Sequence, residues 1–132
     1  MAQAERVAHY RLKERLGAGA MGEVWLAEDT RLHRLVALKR LSAAAAGDAE
    51  ASARLVREAR VASTLNHPNV AVVYDVGEDE PAGQGSAWIA MEYVKGRTLA
   101  ERLKDGRMDA ASVLRVVEQV AEALADAHEH GI

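Results

Sequence analysis

Residues 10–16 set apolar Tyr10, Leu12 and Leu16 against Arg11, Lys13 and Arg15, the period of a half-buried strand. A second strand is expected over 23–28, then a polar turn at Asp29-Thr30-Arg31 and a third strand over 34–41. In that third strand Leu35, Ala37 and Lys39 share one face, and Val36 and Leu38 share the other. An alanine-rich connection at 43–47 leads to Asp48, which is placed to cap a helix over 49–65. The expected inward stripe of that helix is Ala51, Leu55, Glu58, Ala62 and Leu65. Asn66-His67-Pro68-Asn69 stops it, because Pro68 disfavours helical backbone at the residue before it. Strands follow over 70–76 and 87–94, separated by a turn over 78–86 with Pro81, Gly83 and Gly85. Thr98 then caps a short helix through Leu103, and Asp105-Gly106-Arg107 breaks it. A final helix over 109–130 carries Val113, Val116, Val117, Val120, Leu124 and Ala127 along one side. The pattern is that of an α+β chain: a loose arm over 1–9, a unit of five strands and one long helix over 10–94, and a helical remainder over 95–132.

The chemistry that this pattern carries begins at Gly17, Gly19 and Gly22, spaced G-x-G-x-x-G between the first two strands. Glycines at this spacing let a backbone close over a phosphate chain, because no Cβ blocks the approach and the N–H groups can donate to anionic oxygens. The same spacing marks the dinucleotide turn of a Rossmann unit, but there the glycines open a helix. Here Glu23-Val24-Trp25-Leu26-Ala27 follows, strand-like and without a helical stripe, so the loop joins two strands as a lid. Glu58 is the one carboxylate in the expected inward stripe. Lys39 is placed to meet it, and a solvated pair with Arg54, four residues back, is the equal alternative.

Composition narrows the field. The chain has 132 residues, an apolar fraction of 49% and a net charge of −3 with the signs interspersed, so no basic field exists to gather nucleic acid or an anionic membrane. It lacks cysteine, which excludes a disulfide framework and a thiolate metal site. No run approaches a membrane span and the first residues lack the apolar core of a signal peptide, so the chain is expected to be cytoplasmic. His128 and His130 are two apart and do not share a helix face, which argues against a metal pair. Asp75, Glu78, Asp79 and Glu80 are expected to form a solvated turn, His67 a structural hydrogen bond, and Trp25 and Trp88 packing contacts.

Taken in order, G-x-G-x-x-G-x-V from Gly17 to Val24, Val36-Ala37-Leu38-Lys39, the helical Arg57-Glu58-Ala59, His67-Pro68-Asn69-Val70 and Met91-Glu92-Tyr93-Val94 resemble the N-terminal part of a eukaryotic-like (Hanks-type) serine/threonine protein kinase of the kind found in bacteria. The resemblance implies an N-lobe of five antiparallel strands plus one long helix, followed by the first helices of a truncated C-lobe. It further implies that Gly17, Ala18, Gly19, Ala20, Met21, Gly22 and Glu23 cover the triphosphate of ATP, while Leu16, Val24 and Ala37 roof the adenine. Lys39 would hold the α- and β-phosphates, and the family pattern pairs it with Glu58 in a buried contact. Main-chain groups of Glu92 and Val94 would meet adenine, with Met91 gating the space behind.

The chain also departs from the family. The His-Arg-Asp loop that supplies the catalytic Asp and a metal-binding Asn, and the Asp-Phe-Gly that supplies the principal Mg²⁺ ligand, are absent from these 132 residues. No catalytic residue is therefore assigned, Mg²⁺ is expected only in a complete kinase, and the chain alone is expected to be inactive. The alternative is a non-catalytic, pseudokinase-like module that binds nucleotide or a partner. With little to pack on, the final helix is expected to drive self-association.

Overall fold

The computed structural model describes residues 5–19, 22–41, 48–78 and 87–132. In chain order the elements are β1 (Arg6–Val7), β2 (Tyr10–Ala18), β3 (Gly22–Asp29), β4 (Arg34–Leu41), α1 (Ala49–Ala62), β5 (Val73–Glu78), β6 (Ala87–Glu92), α2 (Leu99–Leu103) and α3 (Ala110–Glu129). The strands form one six-stranded sheet in the order β1-β2-β3-β4-β6-β5, with every neighbouring pair antiparallel.

The period-2 alternation of β4 divides the core into two layers. Val36 and Leu38 join Val7, Tyr10, Leu12, Ala27, Trp88 and Ala90 on one face. Leu41 joins Ile89, Ala87 and the helix residues Ala51, Leu55 and Ala59 on the other. The first layer is closed by the sheet itself: Tyr10 is buried, stands edge-on to Trp88 with ring centroids 5.3 Å apart, and donates its hydroxyl to Asp75 at 3.3 Å. Burial, aided by the charges of Asp75 and Asp29, pushes the Tyr10 phenol well above its ordinary value.

Several boundaries differ from those expected. The arm expected to be loose contains β1, whose Val7 is 1% exposed and pairs with Tyr10 across a two-residue turn. The sheet accordingly has six strands instead of five, because a strand of two residues is too short to show a period. Helix α1 stops at Ala62, three residues early: the hydroxyls of Ser63 and Thr64 donate to the carbonyls of Arg60 and Val61, which unwinds the last turn into i,i+3 contacts. Strand β5 starts at Val73 instead of 70, since Val70 is held in a turn to the His67 carbonyl. The expected caps form. Asp48 accepts from the N–H groups of Glu50 and Ala51, and Thr98 and Glu101 make a reciprocal capping box. His67 Nδ1 accepts from the Asn69 N–H at 3.1 Å, the structural bond expected of it. Asp75 and Glu78, expected in a solvated turn, lie instead in β5, paired with Ala90 and Ala87; both are exposed, Asp75 accepts from Tyr10, and Asp79 and Glu80 lie outside the described residues.

The β3–β4 turn hangs on Asp29. Its side chain is buried and accepts from the N–H groups of Arg31 at 2.9 Å and Leu32 at 3.0 Å, with His9 Nε2 at 3.4 Å. Burial alone pushes this carboxyl up, but the Leu32 and Arg31 N–H groups, with His9 and Arg34, outweigh it and hold the carboxyl below its ordinary value of 3.8. A depressed native pKa adds stability that is complete above the unfolded value and is lost as pH falls through the native one. Asp29→Asn is therefore expected to cost about 1–3 kcal/mol at neutral pH. That gap between the two proteins should close in acid below the ordinary carboxylate range, as read by urea unfolding across pH.

Candidate functional site

The glycine loop is shaped by two different demands. A bulge between Arg15 and Gly17 leaves Leu16 without a cross-strand partner, so the chain bends as it enters the loop, and Gly17 and Ala18 then pair with Val24 and Glu23. The Gly19 N–H donates to the Gly22 carbonyl at 2.8 Å, closing the turn. Ala20 and Met21, expected to cover the triphosphate with the rest of the loop, lie outside the described residues. A Cβ on Gly22 would sit 2.7 Å from the Arg40 carbonyl oxygen, so this glycine is required by the close approach of β4. Gly17 and Gly19 have nothing within 4 Å of such a Cβ, and the space beside them is open to a ligand.

Lys39 stands opposite Val24 on one side and Ile89 on the other, and Ala37 stands opposite Leu26 and Met91. Because cross-strand partners share a face, Val24, Ala37, Lys39 and Met91 form one surface beneath the loop. From α1, Glu58 reaches this surface: Lys39 Nζ donates to Glu58 Oε1 at 3.2 Å. The pair is not buried, with side-chain exposures of 34% for Lys39 and 61% for Glu58. The expected stripe is rotated by about one position, so that Ala51, Ser52, Leu55 and Ala59 pack inward. Glu58 falls at the border of that face, where it keeps its hydration and still reaches the lysine. Of the two partners considered for Glu58, the structure selects Lys39.

An exposed pair of this kind contributes only about 0–1 kcal/mol, so α1 is held by its apolar residues and the pair orients Lys39. At the far end of the surface, the Glu92 N–H donates to the Val72 carbonyl at 2.8 Å, and its carboxylate accepts from the Val72 N–H at 3.1 Å. This fixes the strand end from which the exposed Val94 projects. Leu16 is likewise exposed, at the loop's entrance. The Glu23 side chain turns to the opposite face, where it accepts from Trp25 Nε1 at 2.7 Å and lies 3.7 Å from Arg40. Pattern reading passed over Arg40 and Glu5, whose contact at 2.7 Å spans 35 positions of sequence and leaves no local signal.

A glycine lid between antiparallel strands, over a strand lysine paired with a helix glutamate, is the arrangement of a protein kinase N-lobe, and the profile of the protein kinase domain family matches residues 10–132. The chain belongs to that family. Over 125 residues it is 42% identical to serine/threonine-protein kinase PknJ of Mycobacterium tuberculosis, covering 95% of this chain and 20% of that protein. Over 124 residues it is 44% identical to serine/threonine-protein kinase PknB of Mycobacterium leprae, covering 93% of this chain and 20% of that protein. The crystal structure of the M. tuberculosis PknI kinase domain superposes with a TM-score of 0.80 at 38% identity, covering 100% of this chain and 52% of that one. The chain thus spans about a fifth of the length of these two relatives and about half of the PknI domain.

The glycines should separate in their effects on stability. Gly22→Ala forces the β4 backbone to move and is expected to cost about 1–3 kcal/mol. Gly19→Ala meets open space and is expected to stay within about 0.5 kcal/mol of the parent chain. Thermal unfolding of the two variants, side by side, checks the contrast.

Proposed function

We propose that residues 10–94 form the ATP-binding lobe of a serine/threonine protein kinase, and that residues 95–132 supply the hinge and the first two helices of its second lobe. The observation that carries this reading is the 3.2 Å contact between Lys39 and Glu58 on the surface beneath the glycine loop. A lysine held this way presents a fixed ammonium to anionic oxygens, and open space at Gly17 and Gly19 admits a phosphate chain against the backbone. The backbone from Gly17 to Glu23, including Ala18, Ala20 and Met21, covers the phosphates. Leu16, Val24 and Ala37 offer apolar contact to the base, Glu92 and Val94 offer main-chain groups to its edge, and Met91 bounds the space behind it. When bound, ATP supplies the phosphoryl group that the family transfers to serine or threonine hydroxyls. A cytoplasmic setting goes with ATP as donor.

Magnesium does not fit the residues described. Among them, no group of three or more His, Asp or Glu side chains is arranged to hold a metal ion. In the family the attacking hydroxyl is handled by the Asp of a His-Arg-Asp loop, and the metal by an Asn of that loop and the Asp of an Asp-Phe-Gly, motifs that these 132 residues do not contain. Positioning and charge neutralisation provide most of the acceleration in phosphoryl transfer. The chain by itself is therefore a nucleotide binder without the means to move the γ-phosphate.

Calorimetry should detect ATP binding to the chain, weakened about tenfold or more by Lys39→Ala, the value expected for loss of one charge-assisted contact. The variant should melt with the parent, since the lysine pair adds little stability. Binding indifferent to Lys39→Ala overturns the site assignment. Incubation with labelled ATP and a generic protein substrate should give no transfer above background, and labelling that disappears in Lys39→Ala would show that the machinery is present after all.

Self-association belongs to the same reading. Val113, Leu114, Val117, Val120 and Leu124 are all exposed along α3, although it extends over 20 residues. At about 25 cal/mol per Å², leaving this stripe in water forgoes several kcal/mol. Sedimentation of the 132-residue chain should show association that Leu124→Asp weakens, and a monomer at all concentrations would refute it.

A further inference from the structure

The face of the sheet turned away from Lys39 carries a second charged cluster. Glu23 and Arg40 are directly opposed across β3 and β4, one residue beyond Gly22 and one beyond Lys39. Successive strand residues point to opposite faces, so the pair lies behind the surface formed by Val24 and Lys39. Arg40 Nη2 is 3.7 Å from Glu23 Oε2, and the same oxygen accepts from Trp25 Nε1 at 2.7 Å. The Arg40 guanidinium carbon lies 5.4 Å from the Trp25 ring centroid, and Nη1 donates to Glu5 Oε1 at 2.7 Å. Glu5 is itself held, because its carbonyl accepts from the Leu12 N–H at 2.9 Å. Arg40 and Glu23 are 23% and 22% exposed, far less than the Lys39–Glu58 pair in front of them.

We propose that Arg40 is a positioning residue of the phosphate-binding loop: it ties Glu23, and with it the outgoing strand of the loop, to the strand that carries Lys39. Two consequences follow, both resting on the nucleotide reading above. Gly22 lies so close to the Arg40 carbonyl that a Cβ would clash with it, and the Arg40–Glu23 contact adds a side-chain tie at the next residue pair between the loop's outgoing strand and the strand of Lys39. The Glu23 carboxylate is also kept on the far face, where it cannot oppose the negative charge of a phosphate chain entering beneath the loop. Glu5 extends the tie to the start of the described chain, which links the N-terminal segment to the loop.

The test compares ATP with adenosine, since adenosine carries the base contacts and lacks the phosphates. With the full 132-residue chain, Arg40→Ala should weaken ATP about threefold or more, the scale of a partly exposed charged contact, and leave adenosine unchanged. Arg40→Lys should recover part of the loss. Glu23→Gln, which removes the charge partner and spares the packing of Arg40 on Trp25, should show the same selective weakening and serves if Arg40→Ala folds poorly. The proposal is overturned if both Arg40→Ala and Glu23→Gln bind ATP like the parent. It is equally overturned if they lose ATP and adenosine by one factor together with a fall in melting temperature. Failure of the parent chain to bind ATP, or indifference to Lys39→Ala, refutes the nucleotide reading itself and this proposal with it.

Discussion

Burial of β4 on both faces is the constraint from which the rest of the structure follows. Val36 and Leu38 are closed in by the curled β1–β2 end of the sheet and by Trp88 and Ala90, while Ala37 and Leu41 lie on the face that α1 covers. A strand enclosed in this way cannot slip by one residue without sending every apolar side chain to the wrong layer. Lys39 therefore emerges at one definite place, between two buried positions, with its backbone held by β3 and β6. The site's lysine is precise because its neighbours are apolar.

The contact between Lys39 and Glu58 has the opposite character. It is half in water and contributes little to the fold, so α1 and the sheet are joined by Ala51, Leu55, Ala59 and Ile89. A pair left partly in water orients the lysine without stranding an uncompensated charge in the core. The orienting contact and the stabilising contacts are thus carried by different residues of the same helix.

Residues 95–132 have a different standing. Helices α2 and α3 have no buried residues, and Asn69 reaches across from the loop after α1 to donate to the Gln119 carbonyl of α3 at 3.1 Å. The amphipathic stripe of α3 is as regular as that of α1, yet it faces water where α1 faces a sheet. The match to the protein kinase domain family extends over residues 10–132, so it takes in α2 and α3 as well as the sheet, α1 and the glycine loop.

Sequence alone determined the order of the main elements, the split of β4 into two faces, the caps at Asp48 and Thr98, and the place of the glycine loop between two strands with Lys39 on the next. Each of these is a local matter of period, capping or turn geometry, legible within a few residues. Only the tertiary structure decided that Glu58 chooses Lys39 over Arg54. Periodicity locates a helix face to within about one residue, and here one residue separates an inward from a bordering carboxylate. The same holds for β1, too short to show a period, and for Gly22, whose need for glycine arises from a carbonyl 18 positions away in β4. It holds for the Arg40–Glu5 tie as well, since contacts between residues 35 apart are created by folding and leave no trace in any local pattern.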